Sequence, residues 1–444
     1  MANDASRIAL DLYEDLRFGF RLDSEGLRDE SRRFAGSPAA GEAMDSALFA
    51  GRDARLQPVA SRVAASFARG AALELSGGVD SRFVLALGLA AGEAPRRALT
   101  IDTGGADAEI AAEIARTLRI EHRVVRFDQR PSPGTLRADA VAFVQASLGR
   151  ANATASAYFP GVFRQVADFR DEQVGGVGGE VAAGFYHTPI DAVWRGLPLA
   201  LWVRLRLAAP GDTQVGVFEP SRRRALAEAS MGRLRAALEL DGRPDGTWRA
   251  SVDRLYREYR LGNWAAATLE ASSHWYRVTM PLMSDAYFDW ARSVPAAEHR
   301  GKSVQRAFVQ RVLVQRVLEG RGSERRDPVV PHGQTLGSVP YAVASDAAGR
   351  RSRGAKIMRK WRRVVERLGS RPRPAPRLAS DAATVLSGDP EFRESILALA
   401  RWESGALGLE SDGLRRMLEA PGLHALELGA LATTAVRLGL LRAD

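Results

Sequence analysis

Apolar and polar positions alternate in blocks between residues 71 and 176, and the blocks have two different periods. Residues 71–76 form a short apolar run, which predicts a buried strand. Residues 81–91 are apolar on most faces, which predicts a helix. The stretch "RRALTIDTGG" (96–105) predicts a second strand that ends in a glycine turn. In residues 107–120 apolar side chains recur every three or four positions, the signature of an amphipathic helix. Residues 122–128 predict a third strand, and a fourth ends at 172–176. Strands separated by helices of about a dozen residues indicate βαβ units and a parallel sheet. Beyond about residue 195 the pattern turns helical, at 198–206, 220–240, 250–276 and 302–319. The proline-broken "RPRPAP" (371–376) is a stiff connector, and 378–444 is helical again. Residues 1–70 show mixed helical patterns broken by "AGSPAAG" at 35–41. No internal repeat is visible. The expected fold class is α/β, a parallel sheet with flanking helices plus a largely helical C-terminal half. The expected divisions are 1–70, 71–345 and 346–444.

Composition narrows the chemistry. The 444 residues include 45% apolar and 26% charged positions, ordinary for a globular protein. No apolar run reaches the roughly 18 residues of a membrane span, and the first 20 residues lack a signal-peptide pattern. The simplest expectation is a cytoplasmic protein. The chain has no cysteine. That excludes disulfides, thiolate metal sites, iron–sulfur clusters and a cysteine nucleophile. His122, His187, His274, His299 and His332 show no metal-ligand spacing.

The net charge of +10 is concentrated. Residues 350–377 hold twelve Lys or Arg and one acid, Glu366, so this tract alone carries +11. Such a block is either a solvated surface or a contact for an anionic partner, such as a carrier protein, a leader peptide or a nucleic acid.

The stretch "LELSGGVDSRFVLAL" (73–87) carries the most specific signal. Glycines after a buried strand let the backbone turn sharply and gather N–H groups, and the following helix adds its positive end. Together these form an anion site. Ser76 and Ser81 add hydroxyls. Asp80 would repel a bare phosphate, but it fits a divalent cation bridging carboxylate and phosphates. The spacing is not that of a Walker A loop, and the loop contains no lysine.

Ser76-Gly77-Gly78-Val79-Asp80-Ser81 resembles the PP-loop of the ATP pyrophosphatase superfamily. Residues 98–127 resemble the second strand, turn and helix of the asparagine synthetase family, ending in His122. "VGGVGGEVAAGFYH" (174–187) resembles that family's second glycine-rich loop, and 256–264 with 277–295 resemble its helical half. The similar β-lactam synthetases belong to the same group. The resemblance covers about 70–345 and implies an ATP-dependent, AMP-forming ligase. In such an enzyme a substrate carboxylate attacks the α-phosphorus of Mg-ATP, and an amine then displaces AMP to form an amide. Carried onto this chain, Ser76, Gly77, Gly78, Asp80 and Ser81 would hold pyrophosphate. Ile101 would contact adenine, Gly175 and Gly176 would line the nucleotide site, and Asp80 with Glu180 would hold Mg²⁺.

Three departures shape the expectation. The family's glutaminase domain begins with a cysteine nucleophile, and this chain has none. The amine is therefore expected to be free ammonia, a partner's product or an amine on the substrate itself, which would close a ring. The family's Glu-x-Arg-x-Pro is absent, since residues 275–281 read Trp-Tyr-Arg-Val-Thr-Met-Pro. Glu258, which with Tyr256 and Arg260 follows an i, i+2, i+4 spacing, is a candidate for the missing acid or a surface ion pair. The family's late Lys-x-Gly has no clear match, which leaves Lys356 and Lys360 as candidate catalytic lysines. Two other readings stay open, a tRNA-modifying PP-loop enzyme favoured by the basic tract, and a non-catalytic nucleotide-binding subunit.

Overall fold

The computed structural model describes residues 2–18, 20–22, 48–102, 106–126, 131–166, 172–184, 199–203, 207, 216–238, 248–295, 298–299, 302–321, 329–330, 334–335 and 377–443. Its centre is a five-stranded sheet made of β1 (Ala72–Glu74), β2 (Arg97–Asp102), β3 (Glu121–Arg126), β4 (Glu172–Val174) and β5 (Arg277–Thr279). The spatial order is β3-β2-β1-β4-β5, and every neighbouring pair is parallel. β1 lies in the middle, and its Ala72 and Leu73 are fully buried, as expected for a strand covered on both faces. The chain reverses its direction of strand addition at β1, running out to β3 and then back to β4. In an open α/β sheet such a switch point opens a crevice at the carboxyl ends of the strands.

The first four strands fall where the apolar pattern placed them. β5 does not, because that stretch reads as part of the helical half. Its three residues pair with β4 and are fixed by a side chain outside the strand. Glu172 accepts hydrogen bonds from Thr279 Oγ1 at 2.9 Å and Ser66 Oγ at 2.7 Å, and it pairs with Arg69 at 2.9 Å. One buried carboxylate thus joins β4, β5 and the helix Gln57–Ala68.

The helix Val79–Ala90 follows β1 and is apolar around its circumference because it is enclosed. The helices Gln57–Ala68 and Ser303–Arg321 pack against it. Phe83 sits in this layer with Trp290 stacked at 5.5 Å and Phe308 edge-on at 5.3 Å. Burying a side chain of this size contributes roughly 2–3 kcal/mol, so the layer holds the loop before it in one position.

A second apolar core is mainly helical. It joins the helix Ala2–Phe18 to Pro133–Ala146, Arg377–Leu386, Pro390–Ala398 and Ala425–Arg437. The two ends of the chain therefore share one core with a helix from the middle of the sheet region. Arg137 anchors it, with Asp389 at 3.2 Å and Glu391 at 2.5 Å. Among the described residues no helix is long and apolar enough to cross a membrane.

Candidate active site

The loop after β1 turns at Ser76–Gly78 and opens the helix Val79–Ala90, whose N-cap is Gly78. No side chain caps that helix, so its first-turn N–H groups are free to face an anion. The loop is braced internally. Ser81 Oγ receives the Ser76 N–H at 3.0 Å and lies 3.0 Å from Ser76 Oγ, which in turn receives the Gly78 N–H at 3.1 Å. Gly77 is required by its neighbour: a Cβ there would lie 2.6 Å from Asp107 Oδ1. The helix Asp107–Leu118 is thus seated directly on the turn.

The loop after β4 packs onto the first one. A Cβ on Gly176 would lie 2.8 Å from the backbone carbonyl carbon of Asp80, and one on Gly179 would overlap the Asp80 carboxylate. Gly178 takes a φ of +100°, open to glycine at little cost. Two glycine-rich loops, 95 or so residues apart in sequence, therefore interlock around one carboxylate.

Asp80 carries the strongest local electrostatics. Burial pushes its pKa up, the Lys302 ammonium pulls it down and the Glu180 carboxylate pushes it up again. Lys302 Nζ is ion-paired with Asp80 Oδ2. Gln305 Nε2 donates to Asp80 Oδ1 at 3.2 Å. Tyr287 lies 2.9 Å from Gln305 Nε2 and donates to the Gly179 carbonyl at 3.1 Å. Glu180 opens the turn Gly179–Ala183, and Tyr256 donates to it at 3.4 Å. Among the described residues no cluster of three or more metal-ligating side chains occurs. Two interacting carboxylates beside an uncapped helix start would suit a Mg²⁺ ion that takes its remaining ligands from phosphate and water.

The structure gathers Ser76, Gly77, Gly78, Asp80, Ser81, Gly175, Gly176 and Glu180 at one end of the sheet. Ile101 is half-buried near the end of β2, next to the strand that carries the loop. His122 braces that strand: Thr100 Oγ1 donates to the Leu75 carbonyl at 2.6 Å and lies 2.8 Å from His122 Nε2. The threonine has one proton, so the imidazole donates here, and burial lowers its pKa. Glu258 is paired with Arg257 at 2.9 Å, whereas Tyr256 from the same segment reaches Glu180. That segment, Leu255–Ala266, is wound as a π-helix. Such widened turns shift which side chains share a face. Lys356, Lys360, His187 and His332 lie outside the described residues, as do residues 350–376 of the basic tract.

Sequence reasoning missed Lys302 and Gln305, which come from the start of the helix Ser303–Arg321. A signal existed. The chain has only three lysines, Lys302, Lys356 and Lys360, among 63 basic residues. Lys302 also takes a φ of +58°, unusual for a residue with a side chain.

The two glycine-rich loops and the Asp80–Glu180 pair lie at the carboxyl ends of β1 and β4, at the topological switch point where open α/β sheets bind their ligands. The family model described as asparagine synthase matches residues 56–360, more than half of the chain, and the chain belongs to that family of ATP-dependent carbon–nitrogen ligases. A search of curated proteins finds no match.

Proposed function

We propose that this protein adenylates a carboxylate with ATP and then forms an amide with ammonia or an organic amine, without a glutaminase of its own. The observation that carries this reading is the interlocked pair of glycine loops around Asp80. In it the uncapped first turn of the helix Val79–Ala90 follows the loop, and the Glu180 carboxylate acts on Asp80. Ser76, Gly77, Gly78 and Ser81 would hold the β- and γ-phosphates. Ile101 would border adenine, and Gly175 and Gly176 give the nucleotide close backbone approach. Asp80 and Glu180 would hold Mg²⁺, which supplies charge neutralisation as pyrophosphate leaves. The substrate carboxylate attacks the α-phosphorus, the bond to pyrophosphate breaks, and an acyl-adenylate remains. The amine then forms the C–N bond and AMP departs. Lys302 already stands at the loop, ion-paired with Asp80. Were Asp80 to hold a metal ion, the Lys302 ammonium would be released toward the phosphates, where transition-state charge builds up. It thereby takes the part for which Lys356 and Lys360 are the other candidates.

The test is ATP–pyrophosphate exchange over a panel of amino acids, dicarboxylates and short peptides. At least one acid should support exchange, and Asp80→Asn should lower it at least 100-fold with an unchanged melting temperature. Exchange in Asp80→Asn within threefold of wild type at saturating Mg²⁺ overturns the reading. The purified chain should also release no glutamate from glutamine.

The basic tract enters as a docking element for an acidic macromolecule or polyanionic substrate. Its +11 charge exceeds what one nucleotide needs. Binding through it should weaken steeply between about 50 and 200 mM salt, whereas nucleotide binding in a preformed loop should change far less. Replacing Arg351, Arg353, Arg359, Arg362 and Arg363 with glutamine should spare exchange with a small acid and lower turnover of the natural substrate.

A further inference from the structure

Away from the glycine loops, a cavity of about 40 Å³ is lined by Asp15, Arg21, Arg150, Asn152, Asn263 and Trp264. Space of that size holds about three waters, or one carboxylate group. Arg150, Asn152, Asn263 and Trp264 fall within the stretch 56–360 that the family model matches. Asp15 and Arg21 fall outside it, in the helix Ala2–Phe18 and just after it. The cavity therefore lies where the start of the chain meets the family domain, and neither glycine loop contributes to it. The π-helical segment Leu255–Ala266 carries Tyr256, which reaches Glu180, and seven residues later Asn263, which lines the cavity. Seven helical residues separate the two places by on the order of 10 Å.

The walls are fixed by their own hydrogen bonds. Arg21 Nε donates to Asp15 Oδ2 at 2.8 Å, and its Nη2 donates to the Gly149 carbonyl at 3.0 Å. Asn263 Nδ2 spends both of its protons, on the Arg21 and Tyr259 carbonyls at 2.9 Å each. Asn152 Nδ2 donates to the Leu426 carbonyl at 2.8 Å, and its Oδ1 accepts the Ala155 N–H at 3.1 Å. Among the described residues that leaves one Asn152 N–H to give. The lining holds one carboxylate, Asp15, which Arg21 already occupies, and burial pushes its pKa up. Asp11 and Arg437, which also act on Asp15, pair with each other at 3.4 Å. Arg150 presents a planar fork with five N–H donors, so it can hold a ligand carboxylate alongside its other contacts. The surroundings are apolar: Trp264 is 45% exposed, with Arg260 over its ring at 6.0 Å, and Leu426 is 41% exposed. Exposed apolar side chains beside a cavity with a few convergent donors suit a ligand with a charged head and an apolar body.

We propose that this cavity binds a small organic carboxylate, with the Arg150 guanidinium and the remaining Asn152 N–H on the carboxylate and Trp264 against the apolar body. The Arg21 and Arg150 guanidiniums repel an ammonium head, so a cationic ligand of the same shape is refused. The site is distinct from the place of the substrate acid beside the glycine loops, and the inference does not depend on the ligase reading.

The test is isothermal titration of the full chain, without nucleotide, with sodium benzoate, sodium butyrate and benzylamine hydrochloride. Benzoate and butyrate should bind saturably at one site, and benzylamine should not. Arg150→Gln should weaken both acids at least about tenfold, the loss of a charge-assisted hydrogen bond. Trp264→Ala, at a half-exposed position, should weaken benzoate about fivefold or more and butyrate less, because only the aromatic ring stacks on the indole. Asp80→Asn should bind both acids as wild type does, which separates this cavity from the active site. Melting temperatures show which variants are folded. If Arg150→Gln does not fold, Trp264→Ala decides. No saturable binding of either acid up to about 20 mM overturns the proposal, since affinity that weak gives only about 2 kcal/mol. Benzoate affinity unchanged in either folded variant, loss of binding in Asp80→Asn, or benzylamine binding as tight as benzoate would each overturn it as well.

Discussion

Asp80 and Lys302 show how one side-chain pair can stand ready for a ligand. Two carboxylates, Asp80 and Glu180, face each other, and the ammonium of Lys302 supplies the balancing charge. If Mg²⁺ takes that place, the two cations compete for the same oxygens. Lys302→Met leaves the carboxylates without a counter-charge. We expect 10 mM Mg²⁺ without nucleotide to raise the melting temperature of Lys302→Met more than that of wild type. Exchange should fall at least 100-fold in the same variant. Equal Mg²⁺ responses in the two proteins would show that the lysine and the metal do not share a site.

At the scale of elements, the site depends on two loops held at van der Waals contact. The turn after β1 is fixed by the helix it opens and by the helix Asp107–Leu118 seated on Gly77. The turn after β4 is fixed by Gln305 and Tyr287, which come from two later helices. Gly176 is the point where the turns meet, and the atom facing it is backbone, which cannot rotate away. Gly176→Ala should therefore push the loops apart. Overpacking of this kind costs roughly 1–3 kcal/mol, so the fold should survive with a melting temperature a few degrees lower. ATP binding and exchange should fall at least 50-fold. Calorimetric melting and ATP titration separate the two effects, and unchanged ATP affinity would contradict the interlocking.

For the molecule as a whole, the helical core that joins the chain ends carries a buried charge network. Arg233 reaches Asp11 at 3.3 Å and Glu14 at 3.2 Å, Arg437 reaches Asp11 at 3.4 Å, and Arg21 pairs with Asp15 at 2.8 Å. Burial raises Glu14 to about 7, against the lowering effects of the Leu22 N–H and Arg233. A folded-state pKa above the unfolded value of 4.5 means that the native state holds the proton more tightly. The associated stability is complete below about pH 4.5 and is lost as pH rises through about 7. The melting temperature should therefore fall between pH 5 and 8. In Glu14→Gln, which keeps an acceptor for Leu22, that slope should flatten. Glu74 adds a contribution of the same sign. A wild-type slope that persists unchanged in Glu14→Gln would assign the pH dependence to other groups.

The first four strands, their helices and the loop at 76–81 were legible in the sequence. Periodicity and glycine placement are local, and a phosphate-type loop is built by adjacent residues. β5 was not legible, because three residues become a strand only through pairing with β4 and the bond from Thr279 to Glu172. Glu258, read from the sequence as the missing acid or a surface ion pair, is paired with its neighbour Arg257, and Tyr256 of the same segment reaches Glu180. Lys302 and Gln305 could not be assigned by spacing, since their partner Asp80 lies 222 and 225 residues away. The sequence by itself determined four of the five strands and the glycine turn at 76–81, through short-range sterics and apolar pattern. Only the tertiary structure decided which lysine and which acids meet at that loop, because charge pairing in a crevice depends on distance in space and not along the chain.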